Sequence, residues 1–175
     1  MIIYKASYED IEHIAQLYSV IHDAEETGQI TIGWKRNVYP TKQTAIDAIG
    51  KEDMFLLKDN DEIIASAIIN QVQLPCYAYA NWKYEDTSGG IMVLHTLVVN
   101  PRKSAKGYGT AFVHYYEQYA AMHNCSLLRM DTQEHNISAR KLYAKLGYHE
   151  ADILPIYNGF NGLSDIQLVF LEKII

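Results

Sequence analysis

One stretch of this chain constrains its fold more than any other. An apolar run over residues 91–99 ends at Asn100-Pro101, and a short basic loop leads to Gly107 and Gly109, which open an amphipathic helix. Glycines allow backbone N–H groups to approach an anion, and a helix N-terminus adds partial positive charge. The stretch therefore predicts a strand, a phosphate-binding turn and a helix over 107–122.

The charge distribution agrees with a local anion site. The chain has 15 Lys and Arg against 21 Asp and Glu, a net charge of -6, which disfavours a broad nucleic-acid surface. An acidic protein that binds an anionic ligand must supply positive charge at one place. The densest basic loop holds Arg102, Lys103 and Lys106.

A second segment, over residues 136–148, predicts a short helix close to that turn. Asn136 is a favourable N-cap residue, and Gly147 suits the left-handed position that ends a helix. The apolar residues between them recur at helical spacing on one face. They are Ala139, Leu142, Tyr143 and Leu146.

Together the two segments resemble the GNAT superfamily of acyl-CoA-dependent N-acyltransferases, closely over about residues 91–150. The resemblance lies in Leu97-Val98-Val99-Asn100-Pro101, in Lys106-Gly107-Tyr108-Gly109, and in the segment from Asn136 to Tyr148. The last is similar to the family pattern N-x-x-A-x-x-x-Y-x-x-x-G-[FY]. Ser104 departs from the family, which has Gln or Arg there; its hydroxyl can donate to a phosphate oxygen without adding charge.

The order of apolar segments predicts a mixed sheet with helices on both faces, and the resemblance implies one N-acetyltransferase domain over residues 1–175. The resemblance implies the same class, α/β (α+β mixed sheet), in the form of the GNAT acyl-CoA N-acyltransferase fold: a central mixed, mostly antiparallel sheet with helices on both faces. Strands are predicted at 2–6, 54–58, 63–70, 91–99, 126–131, 148–154 and 165–172, and helices at 11–21, 41–50, 107–122 and 136–146.

The resemblance implies acetyl-CoA (coenzyme A) as cofactor. In the family, the strand matching 93–99 splays from the strand matching 127–131, and the pantetheine arm pairs with backbone groups in the gap. The residues that the resemblance assigns to the cofactor are Leu97, Val98, Val99, Arg102, Lys103, Ser104, Ala105, Lys106, Gly107, Tyr108, Gly109, Thr110, Asn136 and Tyr143.

Two side chains are catalytic candidates. In the family, the tyrosine matching Tyr143 points at the thioester sulfur, where a phenol can donate a hydrogen bond or a proton to the departing thiolate. His95 has a suitable pKa for a general base, and strand alternation predicts that it shares a face with Leu97 and Val99. A buried structural histidine, or a water chain as the base, are the alternatives. Glu134 and His135 are weaker candidates.

Aromatic residues in two loops, Trp34, Tyr39, Tyr79 and Trp82, are candidates for binding the acceptor. They could equally form a hydrophobic lid or a dimer interface. We expect direct transfer of an acetyl group to a primary amine in a ternary complex, with a small-molecule or peptide acceptor; homodimers are common in the family. The alternative is a non-catalytic module that binds acyl-CoA.

Other classes find little support. The seven histidines lack metal-site spacing, so no metal is expected, and two cysteines are too few for a disulfide framework. The longest apolar run is too short to span a bilayer, and the N-terminus lacks the apolar core of a signal peptide. We therefore expect a cytoplasmic protein with no membrane partner.

Overall fold

The computed structural model describes residues 1–85, 90–103, 106–156 and 166–175. Within these residues seven strands form one sheet, in the order β1-β2-β3-β4-β5-β7-β6. Only β4 and β5 run parallel, so the sheet is mixed and mostly antiparallel, as predicted. The strands are β1 Ile2–Lys5, β2 Met54–Asp59, β3 Glu62–Asn70, β4 Ile91–Val99, β5 Leu127–Gln133, β6 His149–Ile156 and β7 Ile166–Ile174.

Helices cover both faces of the sheet, which confirms the predicted architecture. The four α-helices of the described residues are α1 Ile11–Glu26, α2 Lys42–Gly50, α3 Tyr108–Met122 and α4 Ile137–Lys145. One buried cluster joins α3 and α4 to the sheet through side chains such as Phe112 and Tyr143. A second cluster joins α1 and α2 to the opposite face through Ile14 and Ile49.

Side-chain caps explain the starts of two of the four α-helices in the described residues. The Oγ1 atom of Thr41 accepts from the Thr44 N–H at the start of α2, and Asn136 Oδ1 accepts from the Ala139 N–H at the start of α4. Each side chain satisfies a helix N–H that has no partner within the helix. The sequence predicts that the first helix ends at residue 21, which leaves residues 22–40 as a connection. In the structure α1 continues to Glu26, so this connection is shorter.

The two central strands separate along their length. β4 pairs with β5 only from Ile91 to Leu94, opposite Leu127 to Met130. Beyond Leu94 no strand of the described residues pairs with β4 on its β5 side, whereas β3 remains paired on the other side. The splay leaves backbone N–H and C=O groups of residues 95–99 open to a ligand.

A bulge in β4 changes which face its side chains occupy. Ser66 and Ile68 of β3 face Val98 and His95, so β4 holds one extra residue, and Thr96 has a left-handed φ of 52°. Before the bulge even-numbered residues pack on the α3 side; after it, Leu97 and Val99 do so. The prediction that His95 shares their face is therefore wrong, because simple alternation does not survive a bulge.

Candidate functional site

The splay opens into a cleft of about 530 Å³. Its walls come from β3, β4, β5, the start of α4 and the loop between α1 and α2. The cleft brings together Tyr143, His95, Asn136, Leu97, Trp34 and Tyr39, all named from the sequence, and adds Asp131.

Tyr143 is the best-placed donor in the cleft. Its side chain is only 5% exposed, yet its hydroxyl makes no hydrogen bond to any described residue. Burial, together with the charge of Asp131, raises the pKa of Tyr143 well above its ordinary value. The phenol therefore stays protonated at neutral pH, and its O–H is available to a ligand in the cleft.

Asn136 joins the two walls of this region. Its Oδ1 caps α4, and its Nδ2 donates to Thr132 Oγ1 on β5 at 3.1 Å. α4 therefore starts at a fixed place beside the strand. The side chain is occupied by these two contacts, so the structure gives it a positioning role whether or not it also contacts a cofactor.

Asp131 is the titratable cleft residue closest to the splay that was not among the candidates named from the sequence. It lies on β5 beyond the last residue paired with β4, and Oδ2 accepts a hydrogen bond from Tyr77 Oη at 2.8 Å. Burial raises the pKa of Asp131 to about 6, although the hydrogen bond from Tyr77 acts in the opposite direction. The sequence did hold a signal for this residue, because the Asp131 carboxylate comes directly after the run 127–130, which is buried in the structure.

His95 is held as a neutral imidazole. Its Nε2 lies 3.2 Å from Asn70 Oδ1 and 3.1 Å from the Val72 carbonyl oxygen, so this nitrogen carries the hydrogen. Asn70 is itself oriented, because its Nδ2 donates to Asp53 Oδ2. Burial lowers the pKa of His95 to about 4. At neutral pH it is consequently a weaker proton acceptor than Asp131.

Residues 30–40, which we call the strap, connect α1 to both splayed strands. The Ile32 and Gly33 N–H groups donate to the Glu25 carboxylate at 2.7 and 2.8 Å. Gln133 Nε2, on β5, donates to the Gly33 carbonyl at 3.2 Å. The Tyr39 hydroxyl forms a hydrogen bond with Thr96 Oγ1 on β4.

The four aromatic candidates for acceptor binding divide into two pairs. Trp34 and Tyr39 line the cleft, with their rings edge to face and 5.9 Å between centroids. Tyr79 is 80% exposed, and Trp82 packs on Tyr77, Phe170 and the Arg129 guanidinium. Neither Tyr79 nor Trp82 lines the cleft. The structure therefore places only the first pair next to Tyr143 and Asp131.

The glycine turn lies at the far end of β4. Gly107 has a φ of 78° and precedes the first turn of α3, and a Cβ atom there would meet nothing within 4 Å. At Gly109 a Cβ would lie 3.1 Å from Leu142 Cδ2, so this glycine allows α3 and α4 to pack closely. The N–H groups of Tyr108 to Thr110 have no acceptor within the helix.

The other predicted cofactor residues have identifiable roles or positions. The Tyr108 side chain is buried, and its hydroxyl donates to Asp59 Oδ2 at 2.7 Å. Lys103 pairs with Glu62 at 2.7 Å, Arg102 lies 3.9 Å from Asp23, and Lys106 is exposed. Val98 is buried on the α1 side, and Thr110 is half-buried. Ser104 and Ala105 lie outside the described residues.

These features fit a long, flexible, phosphorylated cofactor. About three strand residues, or roughly 10 Å, separate Thr96 in the cleft from Val99 near Gly109. Along this interval β4 has no described strand on its β5 side. The helix N-terminus lies at one end, and the Tyr143 hydroxyl lies at the other. Exposed ion pairs such as Lys103–Glu62 contribute little, about 0–1 kcal/mol, so a phosphate can replace the carboxylate at small cost.

The chain belongs to the acetyltransferase (GNAT) family, whose model matches residues 11–148. A search of curated proteins found no match. Solved structures show the same fold. A GNAT family acetyltransferase from Streptococcus agalactiae is 19% identical, with a TM-score of 0.80 over 99% of this chain and 95% of that one.

Two further structures are similar at the level of the fold. One, assigned as an acetyltransferase from Salmonella typhimurium, was solved with its cofactor acetyl-CoA; it is 14% identical, with a TM-score of 0.70 over 99% of this chain and 93% of that one. The other, the ribosomal-protein-S18-alanine N-acetyltransferase of Escherichia coli, is 18% identical, with a TM-score of 0.66 over the same shares.

Among the described residues, no helix has both the length and the apolar character needed to cross a membrane. In the same part of the chain, no group of three or more His, Cys, Asp or Glu side chains is arranged to hold a metal ion.

Replacing Gly33 by alanine tests the contact between the strap and β5. A Cβ at Gly33 would lie 1.9 Å from Gln133 Oε1, and φ is 84°. We expect Gly33→Ala to destabilise the protein more than Gly28→Ala, which has a similar φ of 72° and open space around it. Urea unfolding measures both costs.

The comparison has an internal control. In a Gln133→Ala background the clash is removed, so the cost of Gly33→Ala should fall to that of Gly28→Ala. Equal costs for the two glycine substitutions in the wild-type background would show that Gln133 does not hold the strap as described.

Proposed function

We propose that this protein transfers an acetyl group from acetyl-CoA to a primary amine by direct transfer in a ternary complex. The observation that carries the proposal is the arrangement in one cleft of the free Tyr143 hydroxyl, the Asp131 carboxylate and the unpaired edge of β4. Family membership supports an acyltransferase. When bound, acetyl-CoA would supply a reactive acetyl thioester.

Asp131 is the proton acceptor in this proposal. A carboxylate with a pKa of about 6 is mostly ionised at neutral pH and retains useful basicity. As the amine nitrogen forms the new C–N bond, Asp131 takes the proton that the nitrogen releases. Tyr77 fixes the carboxylate by donating to Oδ2. His95 is less suited because burial lowers its pKa to about 4.

Tyr143 is the donor to the leaving group. When the C–S bond breaks, the electron pair stays on sulfur, and the phenol donates a hydrogen bond to it. The raised pKa of Tyr143 makes complete proton transfer less favourable than hydrogen bonding. Its role is therefore to stabilise developing negative charge, and it needs no proton from solvent before the reaction starts.

The charges that line the cleft favour an acceptor whose amine is cationic and which carries no carboxylate group of its own near that amine. Asp47, Asp53 and Asp131 line the cleft against a single lysine, Lys51, among its described lining residues. Trp34 and Tyr39 add aromatic surface that attracts cations. Both a small amine and the N-terminus of a peptide carry such a charge. The structural neighbours include a ribosomal-protein-S18-alanine N-acetyltransferase.

Calorimetry with acetyl-CoA is the first test. We expect the wild type to bind and Gly107→Trp to bind at least 10-fold more weakly, because the new side chain would occupy the open space before α3. Gly28→Trp is the matched control: its φ is also positive, it has equal space, and it lies in the loop after α1. Circular dichroism checks that each variant is folded.

Turnover with a panel of amines then separates the two classes of function. Release of CoA that depends on an amine, with the acetylated amine identified by mass spectrometry, would support the transferase. Binding of acetyl-CoA with no amine acetylated would favour the alternative, a module that binds acyl-CoA without transfer. Absence of acetyl-CoA binding by the wild type would contradict both.

A further inference from the structure

The bulge residue Thr96 occupies a conformation that needs support from its surroundings. Its φ of 52° is left-handed, which is unfavourable for a β-branched residue. Thr96 is also where β4 departs from regular pairing with β3 and where the edge of β4 lies open in the cleft. A small rotation at Thr96 would move the backbone groups of β4 that the splay leaves open to a cofactor.

The strap supplies a support for Thr96. Tyr39, near the end of the strap, forms a hydrogen bond with Thr96 Oγ1, and its ring packs edge-on against Trp34. The next residue, Pro40, is fixed through its carbonyl oxygen, which lies 3.0 Å from Nε2 of the buried His22. Tyr39 is therefore held on both sides, and the hydrogen bond joins a rigid segment to the bulge.

The strap also contacts the opposite wall of the cleft. Gln133 of β5 donates to Gly33, and Glu25 of α1 holds the two N–H groups beside it. One segment thus links α1, β4 and β5 across the splay. Its aromatic side chains line the part of the cleft where an acceptor would lie, next to Asp131.

We propose that Tyr39 is a positioning residue: through Thr96 it fixes the β4 bulge relative to the strap, and so sets the distance between the bound thioester and the acceptor amine. This inference rests on the proposed function. Misplacement of reacting atoms by about 1 Å can cost about 100-fold in rate. The hydrogen bond between the two hydroxyls therefore affects transfer more strongly than binding of either ligand.

A double-mutant cycle tests the link. Tyr39→Phe and Thr96→Val each remove one hydroxyl and retain nearly the same shape. We expect each to lower kcat about 10-fold or more, with the Kd for acetyl-CoA, measured by calorimetry, changed less than about threefold. The double variant should be no worse than the poorer single variant. Thr96→Ser keeps the hydroxyl and should restore most of kcat, and the exposed Tyr8→Phe serves as control.

Hydrogen exchange gives a readout that does not need turnover. Removing the Tyr39 hydroxyl should accelerate exchange of peptides covering β4 around Thr96, and Thr96→Val should accelerate exchange in the strap. If a wild type that transfers no acetyl group still shows these reciprocal changes, the proposed function fails while the link stands. Additive effects of the two substitutions on kcat, or exchange that changes only beside each substitution, would overturn the inference.

Discussion

Tyr143→Phe is expected to lower kcat for acetyl transfer about 100-fold and to leave the Kd for acetyl-CoA nearly unchanged. The removed hydroxyl has no partner among the described residues, so its loss breaks no existing hydrogen bond and leaves the fold intact. Its donation to sulfur matters only as negative charge develops, and an interaction made only in the transition state affects kcat rather than binding. Steady-state kinetics and calorimetry measure the two quantities.

Tyr148→Phe is the matched control for this substitution. The Tyr148 ring lies 5.9 Å from that of Tyr143, and both residues are 5% exposed, yet Tyr148 does not line the cleft. Its variant should retain kcat. A Tyr143→Phe protein that turns over like the wild type would remove the phenol from the mechanism; equal losses in both variants would indicate a packing effect instead.

Asp131→Asn is expected to lower kcat/KM at pH 7.5 by at least about 100-fold, because the amide cannot accept the proton that leaves the amine. The wild-type profile should rise with pH through about 6, where the carboxyl ionises, and then follow the acceptor's own ionisation. The variant should lose the limb near pH 6. His95→Asn is the comparison: loss of that limb there, but not in Asp131→Asn, would transfer the role of base to His95.

The same substitution should make the protein more stable. The folded pKa of Asp131, about 6, lies above its ordinary value of 3.8, so the folded state holds its proton more tightly than the unfolded state does. The contribution of Asp131 to wild-type stability is therefore lost as the pH rises from about 4 through about 6, whereas an asparagine does not titrate. Asp131→Asn should melt a few degrees higher at pH 7 and show a smaller advantage at pH 4. A lower Tm at pH 7 would indicate a structural role.

Most of the fold was predictable because its signals are local. The helix caps at Thr41 and Asn136 and the left-handed Gly147 follow directly from residue type and spacing. The positions of β4 and α3 follow from periodicity and from the glycine turn. The end of α1 carries a signal of the same kind, since Gly28 directly follows the C-cap Thr27 with a left-handed φ of 72°, and the predicted end at residue 21 overlooked it.

The arrangement of the cleft depends on contacts between distant residues. Asp131 is half-buried because the splay exposes one wall of β5 and Tyr77 covers it from a loop 54 residues earlier. Periodicity cannot show that Thr96 forms a bulge, so it places His95 on the wrong face. Nor can periodicity show that Trp34 packs on Tyr39 in the cleft whereas Trp82 packs on Phe170 outside it.

The position of β7 determines when the cleft can first exist during synthesis. This strand, the latest in chain order, lies between β5 and β6 and covers all of β5 from Leu127 to Gln133. Until residue 174 has left the ribosome, β5 has no partner on that side, and β6 has no neighbour in the sheet. The cleft wall that holds Asp131 is therefore completed by a strand that is translated after both Asp131 and Tyr143.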